Sequence, residues 1–139
     1  MTVHKKDLFS GSIIWLDPAV LNAHDQCLAP ESPVPPKQFL RPFLCYWRRP
    51  GVSAWLPLTT QQRTNRFEVL RRWIRHAFGR LRDDRSFIAD FRTCYRGQDE
   101  AFLAAAAREN IITGPRPCID TDALETIRRE VQYHGGFYI

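Results

Sequence analysis

Arginine dominates the chemistry this chain can do. Of its 20 basic residues, 17 are arginine and three are lysine (Lys5, Lys6, Lys37). Residues 63–96 carry ten basic and four acidic groups, whereas residues 97–139 carry four and seven. A guanidinium holds its charge at any physiological pH and forks onto two oxygens of a phosphate or carboxylate at once. A local arginine excess therefore points to nucleic acid or to an acidic partner. Arg66, Arg71, Arg72 and Arg75, close together in sequence, are the candidates for nucleic-acid binding. The plainer alternative is a solvated arginine-rich face with no ligand.

Other chemistries lack their residues. Cys27, Cys45, Cys94 and Cys118 are irregularly spaced with no C-x-x-C pair, which argues against a zinc ribbon or a thioredoxin-type motif. The histidines, His4, His24, His76 and His134, are scattered and form no H-E-x-x-H. Glycine-rich phosphate loops, nucleophile elbows and dinucleotide fingerprints are missing too. No metal and no cofactor is expected. The start of the chain has neither a long apolar segment nor a small-residue cleavage site, and no run nears the ~18 apolar residues of a membrane span. The expectation is a cytoplasmic chain with reduced thiols and no membrane partner.

The elements that must position these residues read as one domain over 1–139, within the usual size of a single core. Residues 11–17 (GSIIWLD) form a strand stopped by Asp17-Pro18. Residues 18–40 are expected to be a long proline-rich loop between the first and second strands, with Pro30, Pro33, Pro35 and Pro36. Residues 41–47 (RPFLCYW) and 52–58 (VSAWLPL) form two more strands about a Pro50-Gly51 turn, with Pro57 marking an edge or an end. Three such strands suggest a meander curled into a small barrel. Asn65 and Glu68 have capping-box spacing, and Phe67, Leu70, Trp73, Ile74, Ala77 and Phe78 follow a helical period to Gly79. Residues 86–92 fit either strand or helix. Residues 99–109 read as an alanine-rich helix, and Asp120 caps a last helix with a Leu124, Ile127 and Val131 stripe, ended by Gly135-Gly136. The fold class is α+β, with strands in the N-terminal half and helices from the C-terminal half packed on them.

The strings GSIIWLDP, RPFLCYW and AWLPLTT resemble the ribonuclease toxins of bacterial toxin–antitoxin pairs, the MazF/PemK/Kid family, over residues 11–60. Arg41-Pro42 and Pro57-Leu58-Thr59-Thr60 are the more specific parts. The resemblance implies an SH3-like barrel, often a homodimer, that cuts single-stranded RNA without metal and is held in check by a cognate antitoxin protein. It makes Arg41 the group that positions a phosphate and stabilises transition-state charge. It directs the Thr59 hydroxyl at the same phosphate, with Thr60 standing where serine is commoner. For proton transfer it offers His24, with Glu31 as the carboxylate alternative. An imidazole with an ordinary pKa of ~6.5 suits that work. Trp15, Trp47 and Trp55 could stack on bases, although aromatic residues on apolar strands more often fill the core. Two further readings stay open: a nucleic-acid-binding module without catalysis, and a protein-interaction domain that presents its proline loop to an aromatic groove.

Overall fold

The computed structural model describes residues 3–30, 40–112 and 114–136. The run Ile13–Leu16 (β1) is buried at every position, and its side chains alternate between two cores. Ile13 and Trp15 face one, Ile14 and Leu16 the other, as the two-residue period of a strand requires. Asp17 then ends the strand and begins a helix. Its carboxylate accepts the Ala19 N–H at 3.0 Å, and Pro18, with no N–H to satisfy, takes the first helical position of Pro18–Ala23 (α1). A two-residue strand, Cys27–Leu28 (β2), follows. The expected loop over 18–40 is thus corrected at its start, because Asp-Pro is a helix-starting pair as well as a strand stop. The prolines at 33, 35 and 36, and Glu31, lie outside the described residues.

Arg41–Arg49 (β3) and Val52–Thr59 (β4) form the expected hairpin over Pro50 and Gly51, the glycine at φ +81°. A register shift between Cys45 and Trp47 bends the ribbon. β3 also pairs with β1, Ile13 opposite Leu44. The next segment departs from expectation. Residues 65–79 are not a helix: Asn65 has φ +70°, Phe67–Val69 (β5) is a strand, Arg71–Trp73 is a single 3-10 turn, and Ile74–Arg75 (β6) is a second short strand. The apolar residues Phe67, Trp73, Ile74, Ala77 and Phe78 do pack on the core, but from an extended, turning chain. Strand pairing far along the sequence overrides the local helical period. Gly79, at φ +56°, begins a helix rather than ending one, Arg80–Asp83 (α2).

Ser86–Ile88 (β7) resolves the undecided segment as strand, pairing with both β4 and β5. Tyr95–Gln98 (β8) pairs with β2 and with the first half of β4. β4 therefore has two partners on one side, β8 through Trp55 and β7 from Leu58 onward. Pro57, which lacks an N–H, falls in the gap between them. Asp99–Ala105 (α3), Cys118–Ile119 (β9, paired with β6) and Thr121–Tyr133 (α4) complete the chain. Asp120 stands at the N-cap of α4 but makes no capping bond, and its Oδ1 is buried without a partner.

The result is a mixed α+β fold with a mostly antiparallel sheet in the order β1-β3-β4-β7-β5. No pair among the described residues joins β5 to β1, so the sheet is open. The core containing Leu124, Ile127 and Val131 of α4 covers one face, and that containing Leu21 of α1 and Phe102 of α3 covers the other. Asp99, buried at the start of α3, pairs with Arg48 at the end of β3.

An exposed ion pair fastens β5 to β7, where Arg85 holds Glu68 through two hydrogen bonds of 2.6 and 3.0 Å. The Arg85 hydrogen bond keeps the Glu68 carboxyl below the usual glutamate range. A depressed carboxylate stabilises the fold above its unfolded pKa, and that contribution is lost as pH falls through the lowered value. In a thermal-melting series, Glu68→Gln should therefore lie below the wild type near neutral pH and converge with it below about pH 4. A constant gap across that range would show that the pair carries no charge-dependent stability.

Candidate functional site

Six separate segments meet around a cavity of 470 Å3. Trp15 comes from β1, Leu40, Arg41 and Pro42 from the start of β3, and Leu58 to Gln61 from the end of β4. Arg66 enters from the turn before β5, Arg80 and Leu81 from α2, and Ser86 and Ala89 from β7 and the residues after it. The hairpin register, Phe43 opposite Pro57, brings Arg41 across from Thr59 when carried two residues further. The two residues quoted for the resemblance thus line one cavity. The size lies within the range of small-ligand sites, about 300–1,000 Å3.

The wall is strongly one-signed. Three guanidiniums, of Arg41, Arg66 and Arg80, line it with no carboxylate among the described lining residues. Arg41 is half-buried, and its Nε is enclosed with no hydrogen-bond partner. Burial lowers the Arg41 pKa; the field of Tyr95 raises it and the nearby Arg66 cation lowers it further. Two like charges held close without a counter-ion are unfavourable, and an anion between them relieves that cost. Arg66 is fixed by a hydrogen bond from its Nη1 to the Gln61 carbonyl at 2.6 Å, which leaves its other N–H groups to face a ligand.

Thr59 does two things. Its Oγ1 accepts the Gln61 backbone N–H at 3.2 Å, the local turn bond such hydroxyls make. Its own hydrogen remains to be donated. Thr60, exposed, and Ser86, only 4% exposed, add two more hydroxyls to the lining. The arrangement is a set of fixed donors and cations around a space, suited to a phosphate or another oxyanion.

The remaining sequence candidates sit elsewhere. His24 ends α1, with its Nδ1 accepting the Gln26 N–H at 3.1 Å and lying 3.4 Å from Asp25, and it does not line the cavity. Trp55 is fully buried, donates its indole N–H to Ser53 at 2.8 Å and packs on Phe102, so it has no face to offer a base. The four arginines expected on one helix are dispersed. Arg71 binds the Asp83 carbonyl, Arg72 is exposed, Arg75 of β6 lies opposite Cys118 of β9, and of the four only Arg66 reaches the cavity. Arg80 and Ser86 also line the cavity, and the sequence alone does not mark them. Arg80 follows a glycine read as a helix end, and nothing local marks Ser86 as facing a cavity.

All four cysteines are free. Burial pushes the Cys27 and Cys45 thiols up to about 11 and about 12, so both stay protonated at neutral pH. Among the described residues no group of three His, Cys, Asp or Glu side chains is placed to hold a metal ion. No described helix is long and apolar enough to cross a membrane. Comparison of the chain with protein-family models, curated proteins and solved structures gives no match.

Proposed function

We propose that this chain is a metal-independent endoribonuclease on single-stranded RNA, the toxin of a toxin–antitoxin pair. The observation that carries the reading is the shared cavity in which Arg41 and Thr59 stand with two more guanidiniums and no carboxylate among the described lining residues. RNA supplies its own nucleophile. The 2′-OH oxygen attacks the adjacent phosphorus, the bond to the 5′-oxygen breaks, and the products are a 2′,3′-cyclic phosphate and a 5′-OH. The proton lost from the 2′-OH is matched by one gained at the 5′-oxygen. Arg41 lies against the non-bridging oxygens, where negative charge grows, and Thr59 donates to the same group. The same reading takes the bent β3–β4 ribbon as the curl of an SH3-like barrel left open between β1 and β5. It makes an acidic antitoxin the natural cover for the cavity, and a homodimer the working unit.

One observation favours a second reading. No histidine, aspartate or glutamate is among the described residues that line the cavity. Without a proton carrier the site binds RNA and does not cut it. A single assay separates the two. Purified protein is incubated with unstructured RNA in excess EDTA, beside the same sequence carrying 2′-O-methyl groups. The ribonuclease reading expects cleavage of the first only, leaving cyclic phosphate ends. Intact RNA that is nonetheless bound, with affinity falling steeply as salt rises, is the outcome of the binding module.

A further inference from the structure

We propose that Asn65 is a positioning residue for the cavity: the left-handed turn it makes brings Arg66 back onto the Gln61 carbonyl and so holds that guanidinium in the cavity wall. This rests on the reading of the cavity as a phosphate site and adds how one of its cations is placed there. Residues 60–66 join β4 to β5. Within them the Arg66 N–H donates to the Arg63 carbonyl at 3.3 Å, closing a β-turn whose third residue is Asn65. Asn65 has φ +70°. A positive φ at that place marks a type II turn, which takes glycine first and asparagine next, because a Cβ is crowded there and the short amide tolerates it best among the other side chains.

The turn has a chemical consequence. Arg66 Nη1 donates to the Gln61 carbonyl at 2.6 Å, and the Gln61 N–H donates to Thr59 Oγ1 at 3.2 Å. The backbone of one residue thus anchors both a cation and a hydroxyl of the same wall. Asn65 takes no direct part: it is exposed and does not line the cavity. What it contributes is its backbone conformation. A residue that resists a positive φ opens the turn, and Arg66, the last residue of that turn, leaves Gln61. A side chain branched at Cβ resists most, whereas glycine keeps the turn without strain.

The test measures, by fluorescence anisotropy at low salt, the binding of a short labelled single-stranded RNA with 2′-O-methyl groups throughout, which lacks the nucleophile for cleavage. Arg66→Ala should weaken binding about tenfold, the worth of a charge-assisted contact. Asn65→Val should weaken it about fivefold or more, and Asn65→Gly should stay within about twofold of wild type. In the Arg66→Ala background Asn65→Val should cost less than about twofold, because the group it positions is gone. A purely structural loss would repeat its full factor there. His76 is exposed, lies outside the cavity and has φ +58°, so His76→Val introduces the same strain elsewhere and should leave affinity within about twofold. Equal losses from Asn65→Val with and without Arg66 would overturn the proposal. So would Asn65→Val at wild-type affinity, or Asn65→Gly as weak as Asn65→Val. A wild type that binds no RNA would overturn both this role and the cavity reading. If the coupling appears while unmodified RNA stays intact in EDTA, the role of Asn65 stands and the ribonuclease reading falls.

Discussion

Arg41→Ala should lower RNA cleavage by a factor on the order of 100 to 1,000 and abolish growth arrest on expression. The size follows from its environment. A donor fixed in place before the reaction, aimed where charge develops, typically contributes about 2.7–4 kcal/mol to the barrier. Arg41 is held this way: it opens β3, lies across from Leu16 of β1, and keeps its Nε enclosed and unpartnered. Its removal also leaves Arg66 without the neighbour that sharpens the local field. Arg41→Lys should recover little, because an ammonium keeps the charge and loses the two-pronged geometry. Thr59→Val keeps the shape and removes one neutral donor, and should cost about tenfold. The double variant should lose less than the product of the two, since the ribonuclease reading sets both on one phosphate. His24→Gln should stay within about twofold of wild type, its imidazole being engaged with the Gln26 N–H outside the cavity. Gel-based rates on unstructured RNA, with circular dichroism to verify the fold, would measure all of these. An Arg41→Ala protein that cuts at the wild-type rate would remove the cavity from the mechanism.

Legibility in the sequence tracked how local each decision was. The strands Ile13–Leu16, Arg41–Arg49 and Val52–Thr59 could be read because β-branched and aromatic residues run without interruption between turn signals. The stripe of α4 could be read because Leu124, Ile127 and Val131 need only their own helix to share a face. The segment 65–79 could not. Its apolar spacing satisfies a helix, yet Phe67 and Val69 take partners in Ile88 and Ser86, some twenty residues onward. Only the tertiary pairing decides between them. The candidate site divides the same way. Arg41 and Thr59 lie on strands whose register follows from a short hairpin, so their meeting was accessible. Arg80 and Ser86 reach the cavity only because β7 joins β4 past Pro57, a topology that no window of sequence encodes. Trp55 shows the converse. Its type suits base stacking, but alternation along β4 aims it into the core against Phe102.

Asn110→Ala should destabilise the protein by about 2–4 kcal/mol, a large part of the 5–15 kcal/mol typical of a domain. β1 has β3 on one side only, and its other edge is closed by residues that do not form a strand. Asn110, fully buried, takes the place of a strand partner there. Its Oδ1 accepts the Trp15 N–H at 2.7 Å and its Nδ2 donates to the Trp15 carbonyl at 2.7 Å. Arg116, also buried, anchors the Asn110 carbonyl at 3.0 Å. Truncation to alanine leaves the Trp15 N–H buried and unpaired, while the Trp15 carbonyl keeps only the Ala107 N–H. Asn110→Asp provides a sharper test. Its carboxylate still accepts from Trp15 but turns a lone pair toward the carbonyl, whereas the neutral acid can both accept and donate. Burial and that carbonyl both favour the neutral form, so the folded pKa rises above the unfolded value. The folded protein then binds more protons than the unfolded one, and stability falls as pH rises from the ordinary aspartate value of ~3.9 through the raised one. Relative to wild type, Asn110→Asp should therefore be markedly more stable near pH 4 than near pH 7 in urea denaturation, and Asn110→Ala should show no such trend. Trp15 lines the cavity, so the same bonds that close the sheet edge also hold one of its walls. A urea midpoint for Asn110→Ala within experimental error of wild type, with unchanged slope, would show that the β1 edge is held by the neighbouring backbone bonds alone.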